Sequence, residues 1–320
     1  MRCLRCCIWA VVFSFLVGCG GGSLSNSGNS GGGGGTIPAA DHVFLVVLEN
    51  HSFSQVIGNP AMPYLNSLAT QNSLAANYFA NIHPSIGNYF MLTTGQIVSV
   101  NDNFTGVVSD DNLVRALAGA GKTWKAYMES IPSPGYLGGD VLPYMKRHDP
   151  FTYFTDVAGS DGQTPTTQAA NIVPFTQLSA DMAANALPNF GFIAPNTLHD
   201  AHSCAGGGLV CPDSGLLRAA DAWLKSNIDP LIHSPAFANS VLIITFDEGR
   251  DTDLANIGGQ VATILVGSHV KSAFRSTTFY QHQSTLRLVL DLLKVGDRPG
   301  LSATATSMNE FFQYHTTIPE

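Results

Sequence analysis

The clearest structural signal in the chain is the segment His42-Val43-Phe44-Leu45-Val46-Val47-Leu48-Glu49-Asn50-His51-Ser52-Phe53. Six apolar residues run without a break and then give way to a carboxylate, an amide and an imidazole. A short unbroken run of this kind predicts a strand that is buried on both faces, as in a parallel sheet. Ligands of such sheets bind beyond the carboxyl ends of the strands, so Glu49 and Asn50 are candidate site residues by position alone.

Two further segments repeat the pattern. Residues 189–194 predict a strand that runs into the polar segment 196–202, and residues 240–246 predict a strand that ends on Asp247-Glu248. Helical spacing of apolar residues predicts helices between the strands, at residues 62–69, 85–94, 113–120, 178–187, 216–228 and 284–293. Weaker strand patterns cover residues 74–79, 122–128 and 260–266. Alternation of strands and helices predicts an α/β fold with a mostly parallel central sheet flanked by helices.

Composition limits the classes of partner. The 320 residues include 45% hydrophobic and 12% charged side chains, which predicts a large core and little disorder. The formal net charge is −8, and the chain contains no run of basic residues. Nucleic acid is therefore excluded as a partner, because its phosphates require clustered Lys and Arg. An anionic substrate would need a metal ion or a helix N-terminus to supply positive charge locally.

The N-terminus predicts a targeting segment. Residues 1–18 combine Arg2 and Arg5 with a short apolar run that ends at Leu16-Val17-Gly18, directly before Cys19, which is typical of a bacterial lipoprotein signal. Residues 19–37 then predict a lipid on Cys19 and a Gly- and Ser-rich flexible tether. An ordinary secretory signal or a short anchor helix is the alternative. The prediction is an exported bacterial lipoprotein, anchored to a membrane on its periplasmic or cell-surface side.

The cysteines agree with export. Cys204 and Cys211 are the two that remain after the signal and the lipid-bearing Cys19 are set aside. In an oxidising compartment such a pair most simply forms a disulfide that closes a small loop. Metal binding by both cysteines together with His202 is the competing interpretation.

The polar clusters at the three strand ends suggest a metal site. If the strands are parallel neighbours, two carboxylates, an amide oxygen and an adjacent third carboxylate meet at one edge of the sheet. Oxygen ligands suit Mg²⁺, Ca²⁺ or Mn²⁺, and added imidazoles would favour Zn²⁺. A structural role for Glu49 and Asp247, as helix caps or partners of basic residues, explains one such cluster but accounts poorly for three.

Ser85 is the candidate nucleophile. It follows Pro84 at the predicted start of a helix, where unpaired backbone N–H groups can stabilise negative charge. A nearby metal would lower the pKa of its hydroxyl. A plain helix-capping serine is the commoner use of the residue, and the pattern alone does not separate the two.

Five short motifs occur in a fixed order. They are Glu49-Asn50-His51-Ser52-Phe53, His83-Pro84-Ser85-Ile86-Gly87-Asn88-Tyr89, Pro195-Asn196 with His199-Asp200-Ala201-His202, Thr245-Phe246-Asp247-Glu248 and Tyr280-Gln281-His282-Gln283-Ser284. Together they resemble the phosphoesterase family that contains fungal and bacterial acid phosphatases and bacterial phospholipases C. The resemblance covers residues 42–295. It implies an alkaline-phosphatase-like fold, with residues 38–320 as a single α/β phosphoesterase domain.

The resemblance implies a metal site and a nucleophile. Glu49 and Asn50 would bind a divalent ion, Asp247 and Glu248 would complete its shell, and Ser85 would contact the metal and attack phosphorus. The two-metal ligand set of alkaline phosphatases is not evident, so we expect one ion, which could be Mg²⁺, Ca²⁺, Mn²⁺ or Zn²⁺.

The same resemblance suggests residues for the substrate. His202 and His282 would lie near the phosphate, as ligands of its oxygens or as the acid that protonates the leaving group. Asn88, His199 and Asp200, from the same motifs, are candidate substrate-binding residues.

The predicted function is that of an acid phosphatase that hydrolyses phosphomonoesters through a phosphoserine. A phospholipase C-type phosphodiesterase that acts on phospholipid headgroups is the alternative, and its membrane anchor makes a phospholipid a plausible partner. A serine hydrolase is disfavoured, because no G-x-S-x-G nucleophile elbow joins a predicted strand to a helix. A non-catalytic lipoprotein is disfavoured by the intact set of acidic residues and serine.

Overall fold

The first predicted strand forms the centre of the sheet. In the computed structural model, which describes residues 36–202 and 211–313, β1 spans His42–Leu48 and all but its first residue are buried. The other strands of this part are β2 (Ser73–Ala75), β3 (Tyr78–Phe79), β4 (Trp124–Met128), β5 (Ile172–Pro174), β6 (Phe190–Ala194), β7 (Ser240–Phe246), β8 (Thr263–Gly267), β9 (Phe274–Ser276) and β10 (Tyr280–Gln281). Its helices are α1 (Phe53–Val56), α2 (Pro63–Gln71), α3 (Ser85–Thr94), α4 (Leu113–Gly119), α5 (Thr155–Ala158), α6 (Gln177–Ala183), α7 (Asp213–Asn227), α8 (Asp229–Ile232) and α9 (His282–Leu292).

The sheet confirms the predicted mostly parallel α/β architecture. Eight strands follow the order β5-β4-β6-β1-β7-β8-β2-β9, and β3 and β10 pair in a separate small sheet. β1 lies between β6 and β7 and is parallel to both, with Val46 opposite Ile193 on one side and Ile244 on the other. The three strands that end in polar clusters are therefore neighbours. Helix α2 packs on α7 and α3 packs on α9, and these pairs flank the sheet.

Two strands differ from the sequence prediction. Residues 74–79 do not form one strand, because β2 joins the main sheet while β3 pairs with β10. β8 is antiparallel to β7. The connection between β7 and β8 contains no helix, and without a crossover helix the chain returns in the opposite direction.

Several predictions fall outside the described residues. The predicted signal peptide, the lipidated Cys19 and most of the tether lie within residues 1–35, which the structure does not describe. Cys211 is disulfide-bonded, but Cys204 lies in the segment that is not described, so the pairing of the two stays a prediction. Among residues 36–202 and 211–313, no helix has the length and apolar character that crossing a bilayer requires.

Asp149 is a buried acid in the long loop that follows β4. Its Oδ2 accepts a hydrogen bond from the Tyr144 hydroxyl (3.3 Å), and its buried Oδ1 has no donor among the described residues. Burial raises the pKa of Asp149 to about 7. The folded protein therefore binds this proton more tightly than the unfolded chain, and Asp149 lowers stability as the pH rises from about 4 to 7.

Replacing Asp149 by asparagine should stabilise the protein at high pH. Since one pKa unit corresponds to about 1.4 kcal/mol, we expect Asp149→Asn to raise the free energy of unfolding at pH 8 by up to about 4 kcal/mol. The gain should shrink towards zero near pH 4. Denaturant unfolding of both proteins across this range tests the prediction, with exposed Asp110→Asn as the control. Equal gains at pH 4 and pH 8 would show that Asp149 is not the titrating group.

Candidate active site

Three strand ends meet at one edge of the sheet. Glu49 follows β1, Asp247 follows β7 and residues 196–202 follow β6. The Glu49 amide donates to the carbonyl of Asp200 (2.7 Å), and the Asp247 amide donates to the carbonyl of Leu48 (2.8 Å). The polar clusters predicted from the strand pattern therefore lie together, because neighbouring parallel strands end side by side.

A buried group of three carboxylates occupies the centre of this edge, and it consists of Glu49, Asp247 and Glu248. The Ser85 hydroxyl lies 3.3 Å from Oε2 of Glu49 and 3.3 Å from Oε1 of Glu248. Ser85 is buried and is the first residue of α3, as the sequence predicted. One hydroxyl thus lies between acidic side chains that two adjacent strands supply.

Burial and mutual repulsion raise the pKa of these acids. For Asp247 the loss of hydration is the largest cause, and the charges of Glu49 and Glu248 add to it. Burial also raises the pKa of Glu49, against a hydrogen bond from Tyr89. Three bare carboxylates in this position are unfavourable, and protons or a cation stabilise them.

The oxygen atoms of the cluster fit a hard divalent cation. Asn50 donates through Nδ2 to Oε1 of Glu248 (2.6 Å). The buried Oδ1 of Asn50 has no donor among the described residues. Within the same residues, Oδ2 of Asp247 is a second buried acceptor that no well-formed hydrogen bond satisfies. Carboxylate and amide oxygens are the ligands that Mg²⁺, Ca²⁺ and Mn²⁺ prefer. The ligand set predicted from the sequence is therefore suited to one such ion.

The other oxygen of Asp247 fixes the backbone of the site. Oδ1 accepts from the amides of Glu248 (2.6 Å) and Asn50 (3.2 Å). Asn50 adopts a left-handed backbone, with φ of +36°, which asparagine tolerates better than most residues. This conformation places Glu49 and Asn50, two of the predicted ligands, beside the end of β7.

Two aromatic side chains that the sequence did not single out hold Glu49. The Tyr89 hydroxyl donates a short hydrogen bond to Oε1, and Nε2 of His148 lies 3.2 Å from the same atom. The two rings stack, with centroids 5.4 Å apart. Burial lowers the pKa of His148 to about 4, so its imidazole is neutral. Tyr89 could have been found from the sequence, because it lies four residues after Ser85 on the same helical face.

His83 holds Glu248. Its Nδ1 lies 3.0 Å from Oε2 of Glu248, and this contact is the main reason that the pKa of His83 rises to about 9. Burial raises the pKa of Glu248, and the cationic His83 opposes that rise. His83, Glu248 and Asp251 also have ligand atoms within 4.8 Å of one another. Since Nε2 of His83 already contacts the carbonyl of Asp253 (3.0 Å), both ring nitrogens are in use and the oxygen cluster is the better metal site.

His282 lies behind the site rather than at its mouth. It is fully buried, its Nε2 lies 2.5 Å from the carbonyl of Asp247, and its Nδ1 lies 3.1 Å from the Tyr78 hydroxyl. A carbonyl only accepts, so Nε2 carries the proton. Burial lowers the pKa of His282 to about 4. The expectation that His282 lies near the phosphate as a ligand or an acid disagrees with this position, and its contacts are those of a residue that positions Asp247.

The other predicted substrate residues divide into two groups. His202 is exposed, and its charge acts on Glu49, while buried Asp200 accepts from the His202 amide through Oδ1 (2.8 Å). His199 instead contacts both carboxylate oxygens of Glu129 (3.0 Å each). Asn88 is fully buried, and its amide group bonds the backbone of the loop before α3 and also donates to Oε2 of Glu248 (3.4 Å). His202, Asp200 and Asn88 thus belong to the site edge, and His199 contacts Glu129 instead.

Arg147 supplies a positive charge next to the acids. Its Nε lies 3.7 Å from Oδ2 of Asp102 and is buried without a hydrogen-bond partner among the described residues. Oδ1 of Asp102 accepts from the amide of Ile86, directly after Ser85 (3.1 Å). The charge of Arg147 also lowers the pKa of Glu49. This guanidinium is therefore close to the start of α3 and has donors available for an anion.

A family model and several characterised proteins match the chain. Residues 59–296 match the phosphoesterase family, a range that includes Ser85 and Asp247 but begins after Glu49. A phosphatidylinositol-3-phosphatase of Mycobacterium tuberculosis is 30% identical over 264 residues, which are 81% of this chain and 80% of that protein. A probable acid phosphatase of Kluyveromyces lactis and an acid phosphatase of Aspergillus fumigatus are each 29% identical, over 77% and 78% of this chain. The matches span 56% and 54% of the two fungal proteins, about half their length.

Solved structures match the fold. A protein of the alkaline phosphatase superfamily from Vibrio parahaemolyticus superposes with a TM-score of 0.59 at 14% identity, over 86% of this chain and 73% of that one. The lipoteichoic acid synthase LtaP from Listeria monocytogenes gives a TM-score of 0.55 at 13% identity, over 81% and 74%. At these identities the likeness concerns the fold alone, and it confirms the predicted alkaline-phosphatase-like architecture.

Proposed function

Because the chain belongs to the phosphoesterase family and is a hydrolase of phosphoester bonds, we propose that it cleaves phosphomonoesters through a phosphoserine at Ser85. The observation that carries the proposal is the Ser85 hydroxyl, 3.3 Å from a carboxylate oxygen of Glu49 and of Glu248. These oxygens can accept a hydrogen bond from the Ser85 hydroxyl and thereby orient Oγ. An oriented hydroxyl at a helix start is suited to attack on an anionic group.

We also propose that the site binds one divalent cation. Glu49, Asn50, Asp247 and Glu248 would hold it, through the acceptors described above. Such an ion supplies Lewis-acid chemistry, in which it polarises a phosphoryl oxygen and lowers the pKa of a nearby hydroxyl. A neighbouring side chain holds each acid in position. Tyr89 bonds Glu49 and His83 bonds Glu248. His282 bonds the backbone carbonyl of Asp247. Supports of this kind hold ligands in place before any substrate arrives.

The reaction has two halves. In the first, the Ser85 hydroxyl passes its proton to the carboxylate of Glu49 or Glu248 as Oγ forms a bond to phosphorus, the bond between phosphorus and the ester oxygen breaks, and the departing alkoxide takes up a proton from an acid. In the second, water attacks the phosphoserine and gives a proton to the base that this acid has become, phosphate leaves, and Oγ recovers its proton from the carboxylate. We propose that exposed His202 gives the proton to the alkoxide and that Arg147 binds the phosphoryl oxygens, since the charge of each residue lowers the pKa of Glu49.

Phosphomonoesters are the proposed substrates because the fungal relatives are named acid phosphatases and the mycobacterial relative is named a phosphatase of a phosphoinositide. The phospholipase C-type alternative has no specific support from these relatives. Export and lipid attachment at Cys19 remain part of the proposal on the strength of the sequence pattern.

A comparison of two chromogenic esters tests the proposal. We expect kcat/KM for p-nitrophenyl phosphate to exceed that for p-nitrophenylphosphorylcholine by about 100-fold or more, because the diester carries one negative charge fewer and an extra group to accommodate. Each assay should be run with Mg²⁺, Ca²⁺, Mn²⁺ and Zn²⁺ added singly. Faster turnover of the diester with every metal would support the phospholipase C-type alternative instead.

A further inference from the structure

Exposed apolar side chains are concentrated on the loops around the site. Nine large hydrophobic residues are exposed among the described residues, and six of them form three pairs on three loops. We call these six the apolar rim: Ile97 and Val100, Val141 and Leu142, and Leu254 and Ile257. Leu142 and Leu254 are 74% and 71% exposed, so they project into solvent. Scattered exposed apolar residues need no explanation, whereas pairs on three loops around one site can form a contact surface.

The first pair lies beside the start of α3. A Cβ atom built on Gly87, two residues after Ser85, would be 3.4 Å from Cγ2 of Ile97 and 3.1 Å from the carbonyl of Ser99. The loop that carries Ile97 and Val100 therefore folds back along the helix to the position of the nucleophile.

The second pair lies next to the first. Arg147 connects their loops, because its guanidinium is 3.7 Å from Asp102 and 4.0 Å from Asp140, which precedes Val141. On the other side, the carbonyl of Pro143 accepts from the amide of Thr197 (3.0 Å), and exposed Leu198 extends the surface there.

The third pair lies on the loop between β7 and β8. His83 contacts the carbonyl of Asp253 and the carboxylate of Glu248, so this loop borders the acidic cluster directly. The amide of Gly249 donates to the carbonyl of Gly258 (2.8 Å) and closes the neck of the loop. Leu254 and Ile257 therefore lie beyond a fixed neck at the edge of the site.

We propose that the apolar rim is a docking surface for a lipid–water interface, where it inserts shallowly and presents the polar site to phosphate headgroups. The six side chains are all aliphatic, and they lie on separate loops that charged residues interrupt. Protein interfaces instead favour a continuous core enriched in aromatic residues. A polar mouth within an aliphatic border matches a molecule with a phosphate head and an apolar tail, so this inference rests on the proposed function for its substrate class.

The charges of the rim loops determine which interface it fits. Acidic residues outnumber basic ones on these loops, because Asp102, Asp140, Asp251 and Asp253 accompany Arg147, Lys146 and Arg250. Attraction to anionic lipids is therefore not the driving force, and binding should depend on apolar insertion. We expect zwitterionic phosphatidylcholine to suffice, with little effect of salt.

Tryptophan reporters on the apolar rim of the full chain test whether the rim itself inserts into lipid. An N-terminal anchor alone would not change the surroundings of these positions. Leu142→Trp and Leu254→Trp, each in a Ser85→Ala background, should show blue-shifted emission with phosphatidylcholine vesicles and quenching by brominated lipid. Ala238→Trp, at an exposed position two residues before β7 and therefore at the strand end opposite Asp247, is the matched control and should show neither change. Unshifted rim reporters, or an equal shift at residue 238, would overturn the proposal. A shift that follows protein concentration without lipid would assign the rim to contact between two copies and would also overturn it.

Turnover of a lipid substrate and of a soluble substrate distinguishes a docking role of the rim from a catalytic role. Leu142→Asp combined with Leu254→Asp should lower turnover of dioleoyl phosphatidic acid in phosphatidylcholine vesicles by about tenfold or more, and should leave p-nitrophenyl phosphate turnover nearly unchanged. Ala238→Asp should leave both unchanged. Equal losses on both substrates would contradict a docking role. If the reporters insert but neither ester is hydrolysed, the proposed function fails and the docking surface stands.

Discussion

Replacing Ser85 by alanine should reduce turnover of p-nitrophenyl phosphate by about 10³-fold or more. The expectation follows from position, because Ser85 Oγ is the hydroxyl that lies between the carboxylates of Glu49 and Glu248. Removing one oxygen from the first residue of α3 leaves the helix and the acids in place. The loss should therefore appear in kcat, with little change in thermal stability.

The test needs both kinetics and a covalent readout. Initial rates for Ser85→Ala should be compared with those for Ser67→Ala, which removes a helix hydroxyl bonded to the Tyr64 carbonyl. Wild-type enzyme quenched in acid during turnover should carry phosphate on the peptide that contains Ser85. An alanine variant that keeps more than about a tenth of wild-type turnover would show that Ser85 is not the nucleophile.

Replacing Asp247 by asparagine should have opposite effects on activity and on the stability of the metal-free protein. The variant keeps the shape of the side chain but removes one charge from the ligand set, so bound metal and turnover should fall, the latter by about 100-fold or more. Burial and the charges of Glu49 and Glu248 raise the pKa of Asp247, which shows that the bare acid is unfavourable there. The chelated variant should therefore melt at a higher temperature than the chelated wild type.

Three measurements check this prediction. Elemental analysis gives the metal content, initial rates give the turnover, and calorimetry with and without chelator gives the melting temperatures. Each kcal/mol of stability corresponds to about 2–4 °C in a chain of this size. Asp149→Asn is the matched control, since it neutralises another buried acid but should keep both metal and activity. Unchanged metal content and turnover in Asp247→Asn would exclude Asp247 from the proposed shell.

The strand ends were predictable because a strand that is buried on both faces leaves an unbroken run of apolar residues in the sequence. The unbroken apolar runs of β1 and β7 predicted two buried strands, and parallel pairing then required Glu49 and Asp247 to meet. The start of α3 at Ser85 was equally readable from the Pro-Ser pair and the glycine at its other end. These features depend on local periodicity and on one rule of sheet geometry.

The residues that support the acids were harder to predict because they come from segments without periodicity. His148 lies at the end of a long loop, and only the folded chain shows that it stacks on Tyr89 beneath Glu49. The contacts of His282 could not be anticipated either, since a motif does not reveal which way a ring points. The antiparallel direction of β8 depended on the missing crossover helix between residues 247 and 262.

The hairpin between β7 and β8 makes this part of the protein modular. Its first residues, Asp247 and Glu248, lie in the proposed metal site, while Leu254 and Ile257 lie on the surface beyond the neck at Gly249 and Gly258. Antiparallel strands can be joined by a connection as short as two residues or by a longer loop. Residues 254–257 lie beyond the Asp253 carbonyl that His83 contacts, so they could be exchanged or lengthened as a cassette, and substrate preference could diversify while the reaction stays the same.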